Sequence, residues 1–476
     1  RLFISKDRGS SWTRTPDLSR QIDRDALPLM GVPGRDITIS RNDGTSSFGE
    51  AVTLDESPLD ASILWVGFDD GNLQVSRDGG STWTEVSGHV PGLADGTYVS
   101  RITASAAAPG RAYATFDAHR DGDFRPFVFR TTDFGASWEP LHGGLPPMGV
   151  VNVIVEHPDN PATLFVGTEH HVFASTDAGS NWGQVPNLPT THYDDMVIHP
   201  RERDLVLGTH GQGIWIVDDT RAIAEWGAAN APVTVFSAAL GTIRVYRKDT
   251  SYRGDDPFAG TNPVDDIEIT YRLTAQSDAT LRVMNESGTV VREMRVPGSA
   301  GTHRVNWDLR HSIPGVDDQW ARFVNPALAR PIGDRGPWVS PGRYTVVVES
   351  GGERGSTVVD VRGDPDMPIS QSMYESREQF MLDALALTEE IQAFMRANGL
   401  SAGGGRGFGR GGGGRGIPAT PQAKLQSASR LVQGVYGSLN GSQVRPGTLY
   451  PPTQTQREQV MTAQRLFAEA REEVNR

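Results

Sequence analysis

One eight-residue pattern constrains this chain more than any other feature: Ser/Thr-x-Asp-x-Gly-x-x-Trp. It occurs four times, as Ser5–Trp12, Ser76–Trp83, Thr131–Trp138 and Ser175–Trp182. Its invariant members are Asp7, Gly9 and Trp12; Asp78, Gly80 and Trp83; Asp133, Gly135 and Trp138; and Asp177, Gly179 and Trp182. A short Asp side chain folds back onto nearby backbone N–H groups and closes a tight turn. Gly supplies a positive-φ position that a Cβ would penalise. Trp buries a large ring while its N–H finds an acceptor. The pattern therefore predicts a turn staple where one strand ends and the next begins.

The four Asp positions lie 71, 55 and 44 residues apart. The shortest interval is that of a four-stranded propeller blade, about 40–45 residues, and the longer ones fit the same unit with insertions. The unit is plainest in the last copies. An inner strand, Val151–Val155, leads through a His157–Pro161 turn to Thr163–Thr168, then to Val172–Ser175 and the turn staple. Met196–Pro200, Asp204–Thr209 and Gly213–Val217 repeat that order without a staple. Short β-branched runs bounded by Gly, Pro and Asp are strands. Residues 1–225 thus predict a mainly β fold, a partial β-propeller of about five blades that leaves one blade face without a neighbour.

These four segments resemble the Asp-box, the hairpin signature of sialidases, two-propeller xyloglucanases and sortilin-type propellers. The resemblance implies that the boxes sit at the blade periphery with a structural role. Gly208–Asp219 resembles the closing segment of bacterial sortilin-like, BNR-repeat secreted proteins. That family plan implies a linker over 226–264, an immunoglobulin-like sandwich of the FlgD type over 265–362, and a helical tail over 363–476. Arg304–Leu309 and Pro341–Val346 carry the sandwich resemblance. The family implies an exported protein, secreted, periplasmic or on the outer surface of a bacterium. It also implies a non-catalytic scaffold or recognition module whose partners are other protein subunits, the chain's own N-terminal portion, or a glycan. The alternative is a glycoside hydrolase of sialidase or xyloglucanase type, with its active site largely upstream.

The tail shows helical spacing. Ser372-x-x-Glu375 predicts a capping box before Phe380, Ala384, Leu387, Ile391 and Phe394. Thr420-Pro421 opens a second helix and Thr455-x-x-Glu458 a third. Between the first two, residues 401–416 hold ten glycines and three arginines. Alone they look like an RGG segment for single-stranded nucleic acid, but a net charge of −13 favours a flexible linker and no nucleic-acid partner. No apolar run is long enough to span a bilayer. The absence of cysteine excludes disulfides, thiolate metal sites and Cys nucleophiles. Arg1–Ile4 reads as a strand entering the first staple, and the expectation is the C-terminal part of a longer polypeptide.

Catalytic motifs are sparse. The chain has no Walker loop, dinucleotide fingerprint or Gly-x-Ser-x-Gly elbow. The carboxylates placed to face a propeller channel are Asp194 and Asp195, read as lying just before an inner strand. Asp117, Asp121 and Asp123 around Gly122 suggest a calcium loop but lack the twelve-residue pattern, so a solvated turn is the simpler reading. His170, His171, His192, His199 and His210 show no metal-ligand spacing and read as packing and turn residues.

Overall fold

A computed structural model describes residues 1–39, 48–245, 266–313, 335–400, 420–441 and 447–476. Part of the 226–264 linker, residues 314–334 and the whole 401–416 segment lie outside the described residues. The chain divides into two compact units, Arg1–Ala228 and Ala229–Arg476.

The first unit is a succession of small antiparallel sheets in propeller-like order. Phe3–Ile4 pairs with Thr13–Arg14 as a two-stranded piece. Three four-stranded sheets follow, each in simple up-and-down order. Their inner strands are Ala51–Glu56, Tyr98–Ala104 and Val151–His157; their outer strands are Thr84–Glu85, Glu139–Pro140 and Gly183–Gln184. A last sheet has three strands, Tyr193–Ile198, Leu205–Thr209 and Ile214–Val217. The second strand Leu64–Phe68 is apolar and buried throughout, because both its faces are covered.

Each Ser/Thr-x-Asp-x-Gly-x-x-Trp segment closes its hairpin turn by the same bonds. In the second, Thr82 donates its backbone N–H to Asp78 Oδ1 at 2.8 Å and its hydroxyl to Oδ2 at 2.6 Å. Ser76 donates to Asp78 Oδ1 while its own oxygen accepts the Gly80 N–H. Asp7, Asp133 and Asp177 repeat this with Ser11, Ser137 and Asn181. Gly9, Gly80, Gly135 and Gly179 all stand at φ between 82° and 90°. At Gly135 an added Cβ would also strike Val86 at 2.8 Å.

The Trp rings are not uniform. Trp138 is buried, Trp83 and Trp182 are half-buried, and Trp12 is 61% exposed because only two short strands carry it. Trp12 and Trp83 donate Nε1–H to the Gly of their own box, whereas Trp182 donates to Leu141 O of the preceding sheet.

The second unit packs a three-stranded sheet (Val233–Val235, Ile267–Leu273, Gly301–Trp307) with a five-stranded one. The latter runs Gly241–Thr242, Glu353–Arg362, Gly342–Ser350, Ala279–Met284, Val290–Val296 in spatial order. Alternate residues such as Ile269, Tyr271, Leu281, Val283, Trp307 and Val346 form their shared core. Helices Gln371–Ala397, Pro421–Asn440 and Gln454–Asn475 build a second core around Ala384, Ile391, Val432 and Ala463.

Two helix starts differ from the sequence expectation. The first helix begins at Gln371 after Ser370, which leaves Ser372 and Glu375 inside its first turns. The third is capped by Thr453 with Gln456, not Thr455 with Glu458. The box forms at Thr453 because Pro451 and Pro452 hold the preceding chain extended and Gln456 stands at N3.

Candidate functional site: the inner-strand rim

The sheets of the first unit join through side chains of their inner strands. Thr53 Oγ1 and Asp55 Oδ2 accept the N–H groups of Ile102 and Ala104 from the next sheet. Thr103 Oγ1 donates to Ile154 O, and Ser105 donates to Glu156. Asp55 is half-buried, and desolvation pushes its carboxyl up despite the backbone N–H groups of Ala104 and Glu56. Oδ2 thus joins two sheets, while Oδ1 accepts the Glu56 N–H of its own strand at 3.1 Å.

Every inner strand carries a bulge at the same place. The register skips Val52, Ser100, Asn152 and Asp194, so each stands unpaired in the ladder beside the next sheet. Ser100 donates to Val151 O at 2.7 Å, and Asn152 Nδ2 donates to Tyr193 O at 3.2 Å. Asp194, last in the series, has no proton to donate. It accepts from His192 Nδ1 at 2.7 Å and pairs with His210 Nδ1 at 3.5 Å. Asn152 Nδ2 also lies 3.2 Å from His192 Nε2, which sets that nitrogen as acceptor and puts the proton on Nδ1.

The residues directly after the bulges are Thr53, Arg101, Val153 and Asp195. Arg101 reaches past the sheet of Val153 to Asp195, closing a 2.8 Å ion pair two sheets away, and touches Asp194 O. Asp194 and Asp195 therefore come together with Arg101, His192, His210 and Asn152. They lie within the strand Tyr193–Ile198, which corrects the expectation that they precede it; the bulge extends pairing back to Tyr193.

Asp117 and Asp123 are held by their own neighbours in the chain, as in the simpler reading of a turn. Asp117 binds the backbone N–H and ring of His119, and Asp123 forks onto Arg125. Among the described residues no group of three or more His, Asp or Glu could hold a metal ion. Of the other histidines, His157 is buried against Thr220, and burial pushes its imidazole below the ordinary value. His170, His171 and His199 sit at turns or sheet ends.

Sequence reasoning missed Arg101, Asn152 and His192 as a set. The signal was present: Val52, Ser100 and Asn152 each precede by fifteen residues the small second-strand residue near the bulge, Gly67, Thr115 and Gly167. Chemically, both rim carboxylates are engaged by cations or imidazoles, so the rim offers a fixed set of acceptors and N–H donors.

No family model matches the chain. Over 142 residues it is 27% identical to the oligoxyloglucan-reducing end-specific xyloglucanase of Emericella nidulans, covering 30% of this chain and 14% of that enzyme. Over 223 residues it is 26% identical to a xyloglucanase of a Paenibacillus species, covering 41% and 19%. Solved structures with likeness include YCF48 bound to a D1 peptide (TM-score 0.25, 13% identity, 47% of this chain and 64% of that one). An ancestral GH74 enzyme gives TM-score 0.28 at 12% identity, covering 66% of this chain and 41% of that one. No described helix is long and apolar enough to cross a membrane. The matched stretches span less than a fifth of the length of either curated relative.

Proposed function

We propose that this protein is a non-catalytic recognition module of a bacterial cell envelope, exported and carrying an Asp-box propeller beside a FlgD-type immunoglobulin-like sandwich and a helical tail. The observation that carries the reading is the commitment of the rim acids: Asp195 is paired with Arg101, and Asp194 with His192 and His210. A glycosidase needs one carboxyl free to protonate the leaving group and a second as nucleophile or base. The Asp-box carboxylates are spent on their own turns. What remains at the rim is a rigid hydrogen-bonding surface suited to holding a glycan hydroxyl or a polar protein segment.

The second reading is a glycoside hydrolase, favoured by the two xyloglucanase relatives. Incubation with xyloglucan oligosaccharides and a wider glycan panel separates the two. Retention or binding of a glycan without release of reducing ends is the expected result. Turnover that disappears in Asp194→Asn overturns the recognition reading.

A further inference from the structure

The Asn152 carboxamide at the rim can stand only one way round. Its Nδ2 donates to Tyr193 O at 3.2 Å, and a carbonyl oxygen has no proton to give, so the amino end must face it. The same Nδ2 lies 3.2 Å from His192 Nε2, which is thereby an acceptor. The proton of the neutral ring is left on Nδ1, where Asp194 Oδ1 accepts it at 2.7 Å. His210 Nδ1 stands 3.5 Å from the other carboxylate oxygen. One run of bonds therefore leads from the backbone of Tyr193–Ile198, through Asn152 on the inner strand of the neighbouring sheet, to His192 and back to Asp194.

That run fits a neutral His192. A charged imidazole carries N–H on both ring nitrogens, and a second proton, on Nε2, would set N–H against N–H at Asn152. Turning the amide over relieves this: Oδ1 then accepts from Nε2–H, and Nδ2 is withdrawn from Tyr193 O. Histidine is the side chain whose ordinary charge change falls between pH 5 and 8. The charged groups nearby pull in both directions. Asp194 and Asp195 favour the charged ring, whereas His210 and Arg101, the latter 2.8 Å from Asp195 Oδ1 and 3.3 Å from Asp194 O, oppose it. Glu169 and His170, on the turn where His170 O accepts the Thr191 N–H, pair with each other at 3.7 Å.

We propose that His192 is a proton-operated switch at the rim, and that its protonation turns the Asn152 amide over. The turn gives up the Asn152–Tyr193 bond, one of the links between the sheet of Val151–His157 and the last sheet. It also changes what the rim presents. With both imidazoles neutral, Asp194 and Asp195 outweigh Arg101 and the rim is net negative. With His192 and His210 both charged it is net positive, the state that accepts an acidic group on a ligand. The inference rests on the recognition reading only for that last consequence. Glycan turnover would overturn that reading and leave the switch as it is.

Nuclear magnetic resonance on the full chain, with nitrogen-15 in its histidines and asparagines, tests this. His192→Gln and Asn152→Ala identify the two sets of signals. Above the histidine titration range the His192 proton is expected on Nδ1. As the pH falls through that range, the Asn152 side-chain amide should shift with the same midpoint as the His192 ring. Asn152→Asp puts an acceptor in place of the donor and should move the His192 midpoint up by about one pH unit or more. Asn152→Ala, which removes the donor alone, should move it the same way by less. The first two readings are made on the unaltered chain and stand whether or not the variants fold. A proton on Nε2 above the titration range, an Asn152 amide that stays still while His192 titrates, or a midpoint that neither folded variant raises overturns the proposal.

Discussion

The Asp-closed turns of the first unit and the buried arginine pair of the second hold chain segments together at opposite ranges. Asp78 bonds Ser76 and Thr82, two and four residues away, at an exposed turn. In the second unit Arg310 donates to Asn440, 130 residues on, and to Gly336 O, with its guanidinium 3.6 Å over the Trp338 ring. Arg377, from the first tail helix, donates to Leu439 O near the end of the second and to Thr448 O beyond it, and lies 5.2 Å over the same Trp338 ring. Burial pushes Arg310 down to about 9 and Arg377 to about 10. Their charge is met by backbone carbonyls, an amide and an indole face, which rewards one geometry and makes sheets and helices interdependent. Local staples let each turn form alone; a buried seam requires all its parts at once.

The largest effect should come where a box meets the blade core. Trp138→Ala removes a buried ring packed edge-to-face on Trp65 and should cost about 3–5 kcal/mol, whereas Trp12→Ala, at an exposed ring, should stay within about 0.5 kcal/mol. Urea denaturation of both variants measures the contrast, and equal losses would mean that burial does not set the weight of the motif. Arg377→Met should come next. It leaves Thr448 O without its Arg377 donor, at about 1–3 kcal/mol for a carbonyl left unsatisfied, while Leu439 O keeps the Thr448 N–H. The loss should appear in both the strand and helix amides of the second unit by hydrogen exchange. Loss confined to the helices would show that the sheets stand independently.

Acid should act on the first unit by a smaller, graded route. The Thr82 hydroxyl and N–H hold Asp78 down to about 2, and Asp7 and Asp133 are lowered by their own Ser partners. At Asp177 burial opposes the charge, but the Asn181 bonds outweigh it. Folded values below the unfolded carboxylate value of about 3.9 mean stability that is complete above it and lost as pH falls toward about 2. Melting curves between pH 5 and pH 2 should show this decline, flattened in Asp78→Asn. The smallest effect belongs to the Arg101–Asp195 pair, which is partly exposed and should contribute about 0–1 kcal/mol in a double-mutant cycle. A larger coupling would make the rim a structural brace rather than a binding surface.

Legibility followed range. The four turns and the strand runs around them are written in residues within eight positions of one another, where a side chain meets its own backbone; of the three helix starts in the tail only the second falls where the sequence put it. The second tail helix shows this well: Thr420 caps it through the Ala423 N–H and Pro421 stands at its first position. The rim was half legible. Asp194 and Asp195 were visible as acids near an inner strand, but their partners depend on sheet register and on a bulge that returns Tyr193 to the ladder.

The sequence alone determined the repeated hairpin turns, the blade-like strand order, the acidic charge and the absence of thiol chemistry, because these follow from local residue types and composition. Tertiary structure alone decided that Asp195 is held by Arg101 and that Arg310 and Arg377 share the Trp338 ring. Those outcomes depend on which distant groups are brought within about 3–4 Å in a site shielded from water, where a hydrogen bond or a charge counts for most.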